Sequence, residues 1–347
     1  MNQPPLSVIS HFRHIRRTNA KHRTRMIAVL STCLLAGVLL TLMLGQSFTP
    51  LTTVLHVLGG AEVPGAGFTV RELRLPRAVI SVLVGACFGL GGIAFQTLLR
   101  NPLASPDIIG ISTGASTGAV FAIVVLSLSG PAVSMVAIAA GLGVALLIYT
   151  LSWRQGVTGG LLILIGIGLA AMMQSVTAYL LMRAPSWTLQ EALRWLTGSV
   201  NGAQLDQALP LLVALLLFGG LLLSRQRDLE TLRMGDDLAA GLGVRLAVTR
   251  VIVVITAVAL VAFATAVSGP VAFVAFLSGP IAARLMGRNG SLLIPAVLVG
   301  ALLVLFGDYA GQFLLPARYP VGIVTGVLGA PYLLYLILRD NKTRGSL

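Results

Sequence analysis

Long runs of apolar residues, separated by short polar segments, fill most of this 347-residue chain. A helix needs about 20 apolar residues to cross the hydrocarbon core of a bilayer. The spans predicted on this basis lie near residues 26–45, 77–98, 108–128, 132–152, 161–182, 207–223, 250–268, 270–286, 292–310 and 320–338. The pattern therefore predicts an all-α polytopic membrane protein of about ten transmembrane helices, with helix breaks at Gly269-Pro270 and Gly279-Pro280.

One long charged segment separates two of these runs. It extends from Arg225 to Arg250 and contains five Arg and four acidic residues, so it must lie in water. Asp228 is placed to cap a first helical turn, and Gly235 then breaks and restarts the chain. After the break, leucines recur at i, i+4 and i+8: Leu238, Leu242 and Leu246. This pattern favours two short helices that form a docking surface, and a merely solvated loop is the alternative.

Composition and charge agree with a membrane protein. Charged residues make up 10% of the chain, whereas a soluble domain carries about 25%. The net charge of +13 is explained better by basic cytoplasmic loops than by nucleic-acid binding. With ten spans and both termini in the cytoplasm, most Lys and Arg residues fall on the cytoplasmic side. A basic tail (1–25) and a short tail (339–347) would then flank a single transmembrane domain (26–338).

Groups that could perform chemistry are sparse within the spans. Asp308 is the one acidic residue in a predicted span, and pairing with an Arg is the commoner role for such a carboxylate than proton coupling. Cys33 and Cys87 lie in apolar runs, no His/Cys cluster has metal-ligand spacing, and no G-x-x-x-x-G-K-[ST] loop occurs. Glycine pairs such as Gly85 and Gly89 predict closely packed helices. A transport subunit driven by another protein fits better than a membrane enzyme, and a proton- or sodium-coupled secondary transporter is the alternative class.

Four separated motifs follow one another after residue 65. They read R-E-L-R-L-P-R at 71–77, Q-T-L-L-R-N-P-L-A-S-P-D-I-I-G at 96–110, M-G-D-D-L-A-A-G-L-G-V at 234–244 and P-A-R-Y-P-V-G-I-V-T-G-V-L-G-A-P-Y at 316–332. Together they resemble the permeases of type II ABC importers for iron–siderophores and cobalamin, the iron-chelate uptake family. One departure is Pro280, which stands where many relatives carry His, and it favours an iron chelate over cobalamin.

The resemblance implies contact sites for partner proteins. Coupling helices at about 228–247 would dock on an ATPase through Gly235, Asp236, Asp237, Ala239, Leu242 and Gly243. The cytoplasmic turn after the second span would be shaped by Arg100, Asn101, Pro102 and Pro106. Docking of the binding protein would use Arg74, Arg77 and Arg318, although ordinary anchoring of the second span is the alternative role for the first two.

The resemblance also implies a function, the permease of an ATP-driven importer that moves a ferric siderophore across the bacterial inner membrane by alternating access. Its partners would be a second permease chain (identical or paralogous), two copies of an ATPase that binds ATP and Mg²⁺, and an extracytoplasmic binding protein. The chain itself would hold no cofactor or metal. The cargo path would lie between two permease chains and use the fifth span: Met172, Met173, Gln174, Ser175, Thr177 and Tyr179. Helix packing is an equal alternative for these six residues, and cobalamin or haem is the alternative cargo.

Overall fold

The computed structural model describes residues 6–106, 110–152, 159–287 and 290–344. Helices dominate this part of the chain. They are α1 (Leu6–Met43), α2 (Leu51–Leu58), α3 (Ala66–Leu98), α4 (Ile111–Val124), α5 (Pro131–Ser152), α6 (Gly159–Arg183), α7 (Ser186–Leu196), α8 (Leu205–Ser224), α9 (Gln226–Leu232), α10 (Asp236–Gly241), α11 (Leu246–Ser268), α12 (Val274–Met286), α13 (Leu293–Phe313) and α14 (Val321–Arg344).

The ten predicted spans are all found as helices. Within the described residues, seven helices are long and apolar enough to cross a membrane, and shorter apolar helices cover Ile111–Val124, Val274–Met286 and Val321–Leu336. The predicted all-α polytopic fold is therefore confirmed. The side of the membrane that the termini face stays a prediction from the distribution of charge.

The boundary predicted at residue 25, between a basic tail and the first span, lies inside helix α1. Helix α1 runs without interruption from Leu6 to Met43, so the basic residues form the first turns of the same helix. The sequence offers no reason to break it, because neither Gly nor Pro occurs between Pro5 and Gly37.

Helix α3 lies at the centre of the bundle and packs against α11, α12 and α13. Glycines bring its backbone into direct contact with its neighbours. A Cβ added to Gly85 would lie 2.2 Å from the carbonyl oxygen of Gly300 in α13, and one added to Gly92 would lie 1.9 Å from that of Ala275 in α12. Small residues permit such approaches between membrane helices, so the close packing predicted from the glycine spacing is present.

The helix break predicted at Gly269-Pro270 is present, and residues 269–273 are not helical. The end of α7 covers this break. The Ser199 N–H donates to the Ser268 carbonyl oxygen at 2.6 Å, and a Cβ on Gly269 would lie 2.3 Å from the Trp195 carbonyl oxygen. Contact with protein is what allows irregular backbone at membrane depth.

The second predicted break, at Gly279-Pro280, is wrong. Helix α12 continues through Pro280. A side chain of α3 supplies the hydrogen bond that the proline cannot, since Gln96 Nε2 donates to the Phe276 carbonyl oxygen at 2.9 Å. Tertiary contact thus overrides the local signal.

The glycine contacts of α3 yield a stability prediction. Gly92→Ala places a methyl group against the backbone of Ala275, and we expect it to destabilise the protein by roughly 1–3 kcal/mol, as overpacking does. Thermal unfolding in detergent checks this as a lower Tm. Gly143→Ala in α5 is the matched control, since its added Cβ meets nothing within 4 Å. Equal Tm values for the two variants would contradict the packing argument.

Candidate functional site

The charged segment from Arg225 to Arg250, called the polar segment below, contains two short helices, α9 and α10, as predicted. Two details of the prediction are wrong. Helix α9 begins at Gln226, so Asp228 lies inside its first turn and accepts hydrogen bonds from Arg225 Nη1 and Thr249 Oγ1, both at 3.4 Å. The leucine periodicity also crosses a break, because α10 ends at Gly241 and Leu246 opens α11.

Glycines set the bends on both sides of α10. Gly235 has φ 120° before the helix, and Gly243 has φ 87° after it. Both values lie in the region that favours glycine over other residues. These two glycines of the predicted docking set therefore have a conformational role, and they fix the direction in which α10 projects.

The polar segment presents apolar side chains to its surroundings. Met234, Leu238 and Leu242 are 67%, 60% and 70% exposed, respectively. Asp237 beside them is also exposed, whereas Ala239 is fully buried beneath the helix. Clustered exposed apolar residues with a polar rim are typical of a protein-binding surface.

Asp236 contacts two arginines of the bundle, although 40% of its side-chain surface remains exposed. Its carboxylate accepts hydrogen bonds from Arg250 Nη2 at 2.5 Å and from Arg100 Nη2. Arg100 Nε also donates to the Leu232 carbonyl oxygen at 2.7 Å. The two arginines thus attach the polar segment to the end of α3 and to the start of α11.

The charge of Asp236 is favoured in this arrangement. Partial burial raises the pKa of the carboxyl group, but the hydrogen bonds and positive charges of Arg250 and Arg100 together outweigh burial. The pKa of Asp236 is therefore below its ordinary value, and the residue is charged at neutral pH.

The turn after α3 contains the four residues that the sequence analysis assigned to it. Arg100 adopts a left-handed conformation with φ 50°, which is uncommon for a residue with a side chain. Asn101 Oδ1 accepts the Leu103 N–H at 2.9 Å. Pro102 is exposed and Pro106 is buried, and Asp107 of the same motif lies outside the described residues. Sequence reasoning placed Arg100 here but did not identify Asp236 as its partner.

At the opposite end of the bundle, Arg74 and Arg77 are engaged within the chain. Arg74 donates from Nη1 to the carbonyl oxygens of Leu42 and Met43, at 2.8 and 3.0 Å, and from Nη2 to that of Ser47, at 2.7 Å. These bonds satisfy the C-terminal end of α1 and the loop that follows it. These contacts are consistent with the anchoring role that was the alternative for Arg74, and a role in docking stays a prediction.

Arg77 forms a bidentate ion pair with Asp308 of α13. The Nε–Oδ2 and Nη2–Oδ1 distances are 2.5 and 2.6 Å, and the Asp308 side chain is only 8% exposed. Arg77 Nη1 also donates to Asn201 Oδ1 at 3.2 Å. Asp308, the carboxylate considered above for proton coupling, therefore has an arginine partner.

Arg318 differs from the other two. It is exposed and makes no hydrogen bond or ion pair with the described part of the chain. All three arginines line one cavity of about 490 Å³, together with Glu72 and Asp308.

A larger cavity of about 870 Å³ lies between α4, α6 and the start of α12. Two of the six residues predicted for the cargo path, Gln174 and Thr177, line it. Met173 lines a different cavity, beside α5, while Met172, Ser175 and Tyr179 lie exposed on other faces of α6. Phe273 and Phe276, which were not among the predicted residues, form an aromatic wall of the cavity with ring centroids 6.1 Å apart. The Gly269-Pro270 break just before α12 was the feature of the sequence that could have indicated them.

The attachment at Asp236 predicts how the polar segment responds to mutation. Asp236→Asn removes the charge that both arginines share, so we expect faster hydrogen exchange of backbone amides in residues 226–245 at pH 7, by several-fold, with exchange in α13 unchanged. Asp237→Asn is the matched control, because Asp237 is the exposed neighbour. Similar effects of both variants would refute a specific role for Asp236.

The lowered pKa also predicts a pH dependence. A carboxyl group with a depressed folded-state pKa stabilises the fold above its unfolded pKa, and this contribution is lost as pH falls through the folded value. Protection of residues 226–245 in the wild type, corrected for intrinsic exchange rates, should therefore persist at neutral pH and decrease below about pH 4. The Asp236→Asn variant should show no such transition.

Known proteins are similar to this chain in sequence and in architecture. Residues 33–339 match the model of the FecCD transport family. The chain is 37% identical to the ferric enterobactin transport system permease protein FepG of Escherichia coli (strain K12) over 322 residues, covering 92% of this chain and 96% of that protein. It is 38% identical over 293 residues to the achromobactin transport system permease protein CbrC of Dickeya dadantii (strain 3937), covering 83% and 84%.

The structural comparison agrees with the sequence comparison. A solved metal-chelate type ABC transporter in an inward-facing conformation superposes with a TM-score of 0.81 at 28% identity, covering 91% of this chain and 99% of that one. The family match spans most of the chain and includes all four motifs. This chain belongs to the FecCD transport family.

Proposed function

We propose that this chain is the membrane-spanning permease subunit of an ATP-driven importer that carries a ferric siderophore across the bacterial inner membrane. The observation that carries the proposal is the family match over residues 33–339, combined with exposed apolar side chains on the polar segment. The chain supplies the path, and a separate ATPase supplies the energy.

The polar segment is the proposed ATPase contact. Its apolar side chains (Met234, Leu238 and Leu242) project outward on a support fixed by Asp236. A partner that buries these side chains gains apolar contact. Movement of that partner would reach the bundle through the hydrogen bonds that attach the polar segment to Arg100 and Arg250. One ATPase copy would dock on each of two permease chains.

The second permease chain would complete the path. Helix α6 exposes apolar side chains along much of its length, including Leu164, Met172 and Met182. The 870 Å³ cavity borders this helix, and a second chain across it would close the path and allow alternating access. FepG and FepD of Escherichia coli are both similar to this chain, which is consistent with either an identical or a paralogous partner.

The proposed cargo follows from the relatives. FepG and FepD are described as ferric enterobactin permeases and CbrC as an achromobactin permease. A ferric siderophore is therefore favoured over cobalamin or haem. A proton-coupled carrier is disfavoured, because the buried carboxylate of Asp308 is held by Arg77.

The binding protein would dock at the end of the bundle remote from the polar segment. Arg318 is the strongest candidate for contact with its carboxylates, since Arg74 and Arg77 already donate to groups of this chain. Charged groups at the rim of an interface act mainly on the rate and orientation of encounter.

Uptake of radioactive iron tests the function. We expect cells that lack the native permease to regain uptake of ferric enterobactin, ferric hydroxamate or ferric citrate when this chain is expressed with its ATPase and binding protein. Leu238→Glu should abolish both uptake and co-purification of the ATPase, because it puts a charge on the docking surface. Leu205→Glu, an exposed leucine at the opposite end of the bundle, is the control and should leave co-purification of the ATPase unchanged. Uptake that survives Leu238→Glu at the wild-type rate would exclude the proposed docking surface.

The rim arginines predict two different phenotypes. Arg318→Glu should slow association of the binding protein by about tenfold at low salt, and less at high salt, with Tm unchanged. Arg74→Ala should lower Tm instead, because the carbonyl groups it satisfies lose their donor. Surface plasmon resonance and thermal unfolding separate the two effects. A Tm loss in Arg318→Glu without slower association would argue against docking at this site.

A further inference from the structure

Pro280 leaves one carbonyl group of α12 without its usual partner. In an α-helix the carbonyl of residue i accepts the N–H of residue i+4, and Pro280 has no N–H for the carbonyl of Phe276. The side chain of Gln96, on α3, donates to this carbonyl oxygen at 2.9 Å. Gln96 is only 5% exposed, so the bond is formed in the interior of the bundle.

The approach of Gln96 depends on a second residue of α12. A Cβ added to Gly279 would lie 1.8 Å from Gln96 Oε1, so a side chain at this position would displace the amide. The pair Gly279-Pro280 thus creates both the acceptor and the space for one specific donor. Gly and Pro are both unfavourable inside a helix. At these two positions they permit the hydrogen bond that connects α12 to α3.

The backbone of Gln96 is part of the turn that ends α3. The Asn101 N–H donates to the Gln96 carbonyl oxygen at 3.1 Å, and the Arg100 N–H donates to that of Thr97 at 3.3 Å. With Arg100 in the left-handed conformation, these are the two bonds of a Schellman motif. Residues 96–101, called the Schellman turn below, therefore form one hydrogen-bonded unit.

The same turn holds the polar segment through the Arg100 side chain. Its guanidinium donates to the Asp236 carboxylate and to the Leu232 carbonyl oxygen. One short unit thus contacts two elements of the chain, α12 through Gln96 and α10 through Arg100.

The α12 end of this connection reaches the large cavity. Phe276, whose carbonyl Gln96 holds, lines the cavity together with Phe273. Phe273 is in a left-handed conformation with φ 63°. Its ring packs against Gly329 of α14, and a Cβ added to Gly329 would lie 2.4 Å from Phe273 Cγ. A non-glycine residue keeps this conformation only where its surroundings impose it.

We propose that the Schellman turn is a mechanical relay that transmits displacement of the polar segment to the aromatic wall of the cavity, with Gln96 and Arg100 as its positioning residues. This inference rests on the proposed function for its role in transport, but the relay itself is a property of this chain. A double-mutant cycle tests whether the two ends of the relay are energetically coupled.

The first experiment needs neither cargo nor ATPase. Asp236→Asn, which loosens the polar segment, should also increase hydrogen exchange of the α12 backbone amides at residues 276–279 by several-fold in the purified chain. In a Gln96→Met background, where the donor is absent but the volume is similar, exchange in α12 should be raised already and should not respond to Asp236→Asn. Additive effects of the two substitutions in α12, or no effect of Asp236→Asn there, would overturn the relay.

A second experiment distinguishes a relay from a purely structural hydrogen bond between Gln96 and the Phe276 carbonyl group. Pro280→Ala restores the backbone N–H that Phe276 lacks, so the double variant Gln96→Met/Pro280→Ala should recover the Tm lost in Gln96→Met. In proteoliposomes with the ATPase and binding protein, both Gln96 variants should transport at least threefold less ferric siderophore per ATP hydrolysed than the wild type. Recovery of this ratio together with Tm would show that Gln96 is only structural and would refute the proposal.

The two readouts distinguish the relay from the proposed function. If the wild-type complex transports no ferric siderophore, the proposed function fails, whereas the hydrogen-exchange cycle still decides whether the relay exists. If the wild type transports and the cycle is additive, the relay fails and the proposed function stands.

Discussion

The whole arrangement depends on how closely the backbone of α3 approaches its neighbours. Gly85 and Gly92 lack the side chains that would separate α3 from α13 and α12, and carbonyl groups occupy that space. Helices in a bilayer gain nothing from hiding apolar surface from water, so contact area and hydrogen bonds must hold them together. Close approach of α3 and α12 brings Gln96 within reach of a carbonyl group on its neighbour. The glycines therefore determine which polar contacts are geometrically possible.

Asp308 and Asp236 lie in different surroundings, and this difference determines the structural role of each carboxylate. Asp308 is buried and fully engaged by the fork of Arg77, a geometry suited to a permanent link between α3 and α13. Asp236 is at the water-exposed end and is shared between Arg100, in the turn after α3, and Arg250 of α11. Exposed pairs add little to overall stability, so this second site positions the polar segment rather than holding the bundle together.

Much of the fold was predictable from sequence, because the thickness of the bilayer sets the length of each membrane-spanning helix. An apolar run of that length can be recognised without knowing what it packs against. The ten spans and the break at Gly269 are of this kind. The error at Gly279-Pro280 has the opposite origin, since the outcome there depends on Gln96, a residue far away in sequence. Side-chain partners such as Arg100 with Asp236 were equally out of reach, although both motifs had been noted. Motifs gave the place of the candidate site, but the geometry within it required the packed structure.

The pair formed by Arg77 and Asp308 also has a consequence for biogenesis. The two residues are 231 positions apart, so α3 enters the membrane long before α13 is synthesised. A lone charge within a membrane helix carries a cost of about 2.5–3.5 kcal/mol at the centre of the helix and less towards its ends. Until Asp308 is synthesised, the Arg77 guanidinium lacks its carboxylate partner and is better solvated near the lipid headgroups. The ion pair between α3 and α13 can therefore form only after most of the chain has been translated.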